Sequence, residues 1–268
     1  MKTTKVKSIS YYLLVLLLIG TCINSNAQNS KQSPVFVLVH GAWHGGWCWQ
    51  KVSEKLRDEG DLVYTPTLSG LGEHKNTLNS KVDLDTHIAD IVNFIVMEDL
   101  HHVILVGHSY AGAVIAGVAD RIPERLEKLV YLDALLTENG QSVFNISSKI
   151  TQDDYTKSAL KLDNGMSIPF PSSAWFGVTD STAIKWTNER LTSQPYKTFT
   201  QPLVLKHSYG NHLPLIYIAC RNPELAILEQ FAKKTRESKA WKYYELNTGH
   251  DAMISAPTEL ATLLSSFK

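Results

Sequence analysis

The 268-residue chain has only three cysteines, Cys22, Cys48 and Cys220, too few for a disulfide framework. Cys48 and Cys220 each sit at the edge of an apolar segment, where a buried inert thiol is expected, and one bridge between them is the alternative in an oxidising compartment. Net charge is absent too, because 26 Lys and Arg balance 26 Asp and Glu. Without a basic excess there is no electrostatic footprint for nucleic acid. Repeats and low-complexity tracts are missing, and 44% hydrophobic content excludes a disordered or purely fibrous chain. "GLGEH" (residues 70–74) lacks the third glycine of a dinucleotide fingerprint. His40 and His44 are four apart, but their glycine-rich surroundings predict a loop and the glutamate of a zincin helix is missing, so no metal is expected there.

No apolar run is long enough for a permanent membrane span; "YYLLVLLLI" (residues 11–19) is too short. It follows Lys2, Lys5 and Lys7 and precedes the small-residue site "SNA" (residues 25–27), which together read as a secretory signal peptide over residues 1–27. Export to the periplasm or medium is the expectation. A lipoprotein anchored through Cys22 is the alternative, with Thr21 an unusual residue before a lipidated cysteine. Removing residues 1–27 takes three lysines and no acid from the 26 and 26, leaving 23 basic against 26 acidic residues.

What is present is alternation of two patterns. "VFVLVHG" (35–41), "DLVYTP" (61–66), "HVILVG" (102–107), "KLVYLDA" (128–134), "PLIYIAC" (214–220) and "WKYYEL" (241–246) read as strands. Helical spacing of Val, Leu, Ile and Phe fills the segments between them, and this predicts an α/β fold with a mostly parallel sheet and helices on both faces. One connection, residues 135–213, is too long to be a structureless loop. It is expected to form a small, mostly helical cap inserted into a core of residues 28–134 and 214–268, with Trp175, Phe176 and Trp186 as candidates to line a substrate pocket.

The sharpest motif is "VGHSYAGAV" (residues 106–114), a serine between a predicted strand and a predicted helix. An alcohol is a poor nucleophile at neutral pH, so a catalytic serine needs an adjacent base and a turn that exposes its oxygen. Such a turn crowds the positions two before and two after the serine, and Gly107 and Ala111 are small enough for it. Ser109 is therefore the candidate nucleophile. The base is expected late in the chain, and "NTGHDAM" (residues 247–253) supplies His250. His40, His44, His74 and His108 precede the serine and read as loop and pocket residues. Charge developing on a substrate oxygen needs fixed backbone donors. Tyr110 N–H, following the nucleophile, is one candidate, and Ala42 N–H in "HGAWHGGW" (residues 40–47) is the other.

"FVLVHGAWHGGWCWQKV", "TLSGLGEH", "LVGHSYAGAV" and "TGHDAM" together resemble the α/β-hydrolase superfamily, in the branch of plant methyl esterases, hydroxynitrile lyases and related bacterial esterases. The resemblance runs from about residue 35 to the C-terminus and is weakest over the cap. It implies hydrolysis of a small-molecule ester through an acyl-enzyme, with no cofactor. In the plant relatives the triad acid follows the strand that here reads "YIACRNPEL", where only Glu224 is available. The preceding strand ends in "VYLDALL", and some α/β-hydrolases carry their acid there, so Asp133 is favoured and Glu224 is the alternative. Two rival functions remain. Hydroxynitrile lyases of this branch place a threonine where this chain has Gly41 and a lysine where it has Asp251, departures that favour hydrolysis. A small-molecule receptor on a hydrolase scaffold is the other.

Overall fold

The computed structural model describes residues 35–268; the expected leader at residues 1–27, with Cys22, lies outside them. Eight strands follow in chain order: β1 (Val35–Val39), β2 (Leu62–Tyr64), β3 (Val103–His108), β4 (Leu126–Leu132), β5 (Ser167–Ile168), β6 (Gln194–Pro195), β7 (Leu215–Cys220) and β8 (Trp241–Leu246). Six of them form one sheet in the order β2-β1-β3-β4-β7-β8, and every pairing in it is parallel. All six are the strands expected from the apolar runs.

A parallel sheet needs cover on both faces, and the two-residue period of each strand divides its apolar side chains between two cores. Phe36, Leu38, Ile104, Val106, Val130 and Ile218 pack with Val52 and Leu56 of helix Gln50–Asp58 and with Leu260 and Leu264 of helix Pro257–Ser265. Their neighbours Val37, Val39, Leu105, Leu129, Tyr131 and Tyr217 face the other way. They pack with Ile88 and Ile91 of helix Leu84–Met97, Val114 of helix Ala111–Arg121 and Phe231 of helix Ala226–Glu237. Helix Leu84–Met97 starts where Asp83 accepts from the Thr86 amide in a capping box.

After β4 the chain leaves the sheet and returns at β7. In between lie helices Val143–Ile146, Lys149–Asp163, Ser181–Asn188 and Lys197–Thr200 and the antiparallel pair β5-β6. This pair was not expected, since two-residue strands carry no alternation to read. Asp120, on the helix after β3, fastens the returning chain by accepting from the amides of Lys206 and His207. Cys48 and Cys220 are both buried and free. Among the described residues no helix is long and apolar enough to cross a membrane.

Candidate active site

The β3 strand ends at His108, and the chain turns at once into helix Ala111–Arg121. The turn forces Ser109 to φ 56°, a left-handed conformation that a non-glycine residue holds only under constraint, at a cost of order 1–3 kcal/mol. Three backbone hydrogen bonds supply the constraint: Ser109 N–H donates to Leu132 O at 3.1 Å, and Ser109 O accepts from Gly112 N and Leu135 N at 3.0 Å each. The turn also needs a bare residue at 107, where a Cβ would meet Ala111 O at 2.8 Å and Ile115 at 2.9 Å.

His250 lies in the loop between β8 and the short helix Ala252–Ser255, beside the half-buried Ser109 hydroxyl. Its Nε2 is 2.9 Å from Ser109 Oγ and its Nδ1 is 2.7 Å from Asp133 Oδ2. Asp133 follows β4 and is itself locked: Oδ1 accepts from Cys220 N at 3.0 Å, and its own N–H donates to Ile218 O at 2.7 Å. Both members of the His250–Asp133 pair are about 3% exposed on their side chains, so the contact is sheltered from water. Glu224 has no part in this chain of bonds; it sits in a surface ion-pair cluster, 3.1 Å from Arg221. The geometry thus brings together Ser109, Asp133 and His250 and leaves the alternative acid outside.

Ala42 and Tyr110 line the same cavity as Ser109 and His250. The Tyr110 ring is buried, with its hydroxyl 3.0 Å from His87 Nδ1, while His87 Nε2–H donates to Ser69 O at 2.9 Å. This anchors the residue by its side chain. His40 Nδ1–H donates to Gly41 O at 2.8 Å, and its Nε2 accepts from Leu68 N at 3.1 Å. Burial pushes its pKa down to about 3, so the imidazole stays neutral in that tautomer. Gly41 admits no side chain, because a Cβ would meet His108 Nδ1 at 2.8 Å and Ser109 Cβ at 3.0 Å.

The cavity measures about 230 Å³ and is lined by aromatic and aliphatic side chains, Trp43, Tyr155, Phe176 and Phe199 among them, without a carboxylate or ammonium. Phe176 is buried with its ring 5.7 Å from that of His250, and half-exposed Trp175 also borders the cavity. Trp186 requires a correction. Helix Ser181–Asn188 packs on the core beneath helix Gln50–Asp58, so Trp186 meets Trp47 edge-on at 5.3 Å and lines a separate depression with Lys51, Glu54 and Asp180.

A second buried pair had no clear sequence signal. Asp251, next to the candidate base, is fully buried and accepts from His44 Nε2–H at 3.2 Å, while His44 Nδ1–H donates to Ala42 O at 2.8 Å. Burial lowers the His44 pKa, but the Asp251 charge and hydrogen bond outweigh it, and the net shift is upward. The pair ties the loop after β1 to the loop after β8. His108 lies between them, its ring 4.5 Å from that of His250 and its Nε2–H donating to His250 O at 3.0 Å. Burial, then the neighbouring His250 and His44, hold His108 well below the usual imidazole range. Donor atoms of His108, His250 and Asp251 come within 4.8 Å of one another, but both His250 ring nitrogens are already engaged by Asp133 and Ser109, which fits a proton relay better than a metal.

Residues 36–263 match the profile of the alpha/beta hydrolase family. The chain is 37% identical over 239 residues to a carbendazim hydrolyzing esterase of Nocardioides sp. (strain SG-4G), covering 86% of this chain and 98% of that protein. It is 28% identical to methyl jasmonate esterase 1 of Vitis vinifera, over 87% of this chain and 96% of the relative. The structure of an extracellular alpha/beta-hydrolase from a Paenibacillus species superposes with a TM-score of 0.78 at 24% identity, covering 87% of this chain and 98% of the other.

Proposed function

The chain belongs to the alpha/beta hydrolase family, and from that premise we propose that it cleaves small carboxylic esters through an acyl-enzyme on Ser109. The observation that carries this reading is the unbroken path from Asp133 through His250 to Ser109 Oγ, opening on a neutral cavity. Ser109 Oγ attacks the ester carbonyl carbon while His250 Nε2 takes its proton. The carbonyl oxygen becomes negative beside the N–H groups of Ala42 and Tyr110, each such donor being worth about 3 to 4 kcal/mol of barrier. His250 then returns the proton to the departing alcohol, and the C–O bond to it breaks. Water repeats the cycle on the acyl-enzyme and frees the acid. Asp133 holds the imidazole orientation and stabilises its cation without taking the proton. The chemistry requires neither metal nor cofactor.

The uncharged aromatic lining supports neutral esters as substrates, because a charged acyl or alcohol group would lose its hydration there without a partner. Carbendazim and methyl jasmonate, named for two relatives, are candidates on this reading. The lyase alternative loses support at Gly41, which has no space for a threonine, and at Asp251, whose carboxylate is paired with His44. Export through residues 1–27 belongs to the same proposal, supported by the basic start, the apolar run and "SNA". N-terminal sequencing of protein recovered from the cell envelope or medium tests it, and a blocked, lipid-bearing Cys22 would replace it.

The functional test is release of p-nitrophenol from acetate and butyrate esters by the purified protein, with Ser109→Ala beside it. Turnover at background in the variant supports the reading. Equal turnover in both sinks it, as would faster release of cyanide from mandelonitrile than cleavage of any ester, or tight saturable ligand binding without product.

A further inference from the structure

The turn that carries Ala42 N–H is held by residues far away in the chain. The peptide after Ala42 is gripped at both ends: Ala42 O accepts from His44 Nδ1–H, and Trp43 N–H donates to Gln194 Oε1 at 2.9 Å. Trp43 O accepts from Thr192 N at 2.9 Å, and Trp43 Nε1–H donates to Ile168 O at 3.2 Å. Both strands of the small β5-β6 pair therefore converge on Trp43. The grip is needed, since Trp43 has φ 65°, a left-handed conformation that a bulky side chain disfavours.

Gln194 is fully buried, and its amide orientation is determined by its surroundings. Nε2 donates to Thr198 Oγ1 at 2.7 Å, and that hydroxyl donates to Pro195 O at 2.6 Å, which leaves Oε1 as the atom facing Trp43 N. Removing this acceptor strands a buried amide donor in an already unfavourable turn. The turn would relax by shifting the Ala42–Trp43 backbone away from Gln194, and the Gly41–Ala42 peptide that carries Ala42 N–H would be drawn off its aim with it. Gln194 is not among the residues that line the cavity.

We propose that Gln194 is a positioning residue that locks the Ala42–Trp43 turn, so that the Ala42 amide faces the developing oxyanion. The proposal rests on the ester-hydrolase reading above. It makes the segment between β4 and β7 part of the catalytic machinery as well as a wall of the pocket.

The test compares Gln194→Met, which keeps side-chain length and flexibility, with Thr198→Val, which frees the Gln194 amide to turn over. For p-nitrophenyl butyrate, Gln194→Met is expected to lose roughly 10- to 100-fold in kcat with KM within about threefold, the scale of a misaimed oxyanion donor. Thr198→Val should lose less in the same parameter. Affinity for 2,2,2-trifluoroacetophenone, whose adduct with Ser109 bears the oxyanion, should fall by the same factor as kcat. Exchange of the Trp43 amide hydrogen should accelerate in both variants. A folded Gln194→Met enzyme with kcat within twofold of the parent overturns the proposal, as does a loss confined to KM or a loss of kcat with inhibitor affinity unchanged. Ser109→Ala in the same assay tests the ester reading separately: if it matches the parent, both ideas fall, whereas an inactive Ser109→Ala beside an unimpaired Gln194→Met removes only the role of Gln194.

Discussion

Replacing Asp133 by asparagine tests the whole relay with one atom. Asp133 Oδ1 accepts from Cys220 N at 3.0 Å and Oδ2 faces His250 Nδ1 at 2.7 Å. A backbone N–H can only donate, so an asparagine must place its oxygen there and turn its NH₂ group towards His250. That group also only donates. His250 Nδ1 must then become the acceptor, the ring proton moves to Nε2, and Ser109 Oγ faces a donor instead of a base. The equivalent change in a Ser-His-Asp protease costs about 10⁴ in kcat, or about 5.4 kcal/mol at roughly 1.36 kcal/mol per decade. The same order is expected here, because both partners are buried and water cannot substitute. Initial rates on p-nitrophenyl butyrate, with a melting curve for each protein, give the answer. A loss below about tenfold in a folded Asp133→Asn enzyme would refute the tautomer argument. Glu224→Gln should stay within about twofold of the parent, since Glu224 lies in the Arg221 surface cluster.

Gly41→Thr should cut esterase turnover by at least about tenfold and gain no cyanide release from mandelonitrile, because its Cβ would press on His108 Nδ1 and Ser109 Cβ; a stable, active variant would contradict the packing. Acid should weaken the fold before carboxylates titrate: His40, His87 and His108 have folded pKa values below 6.5, so as pH falls beneath 6.5 the unfolded chain takes up protons that the folded one refuses. Urea midpoints are expected to drop from about pH 6.5 towards pH 5, with a limiting slope of about 1.4 kcal/mol per pH unit for each imidazole, and a flat profile would refute this. His44 has the opposite sign. Its folded pKa is raised, so its contribution is fully present below 6.5 and is lost as pH rises through the folded value. Asp251→Asn should therefore flatten the decline in urea midpoint above pH 6.5, and an unchanged slope would remove the ion pair from the account.

The six strands of the main sheet were legible because most are near-continuous apolar runs, and the candidate nucleophile because its turn admits only small neighbours at Gly107 and Ala111. His250 and Asp133 followed from strand ends, a matter of chain order. The pair His44–Asp251 and the anchor Gln194 were not legible: they join residues 207 and 151 positions apart through side-chain geometry that no local pattern encodes. Trp186 was misassigned for a related reason. A tryptophan in a helix announces that it will be buried, but not on which face of the sheet, and that choice was made by how helix Ser181–Asn188 docks.

The sheet order β2-β1-β3-β4-β7-β8 also makes activity depend on a single seam, the one between β4 and β7. Ser109 and Asp133 follow neighbouring strands joined by a single crossover, while His250 is 117 residues beyond Asp133 and is brought to it only when β7, carrying β8, pairs with β4 across the inserted segment, Leu129 beside Leu215. Such long-range parallel pairings close slowly, because much chain entropy is lost before the contacts form. A chain with the β4-β7 seam open holds Ser109 without His250 beside it. Hydrolysis is thus a property of the closed sheet and belongs to neither half of the chain alone.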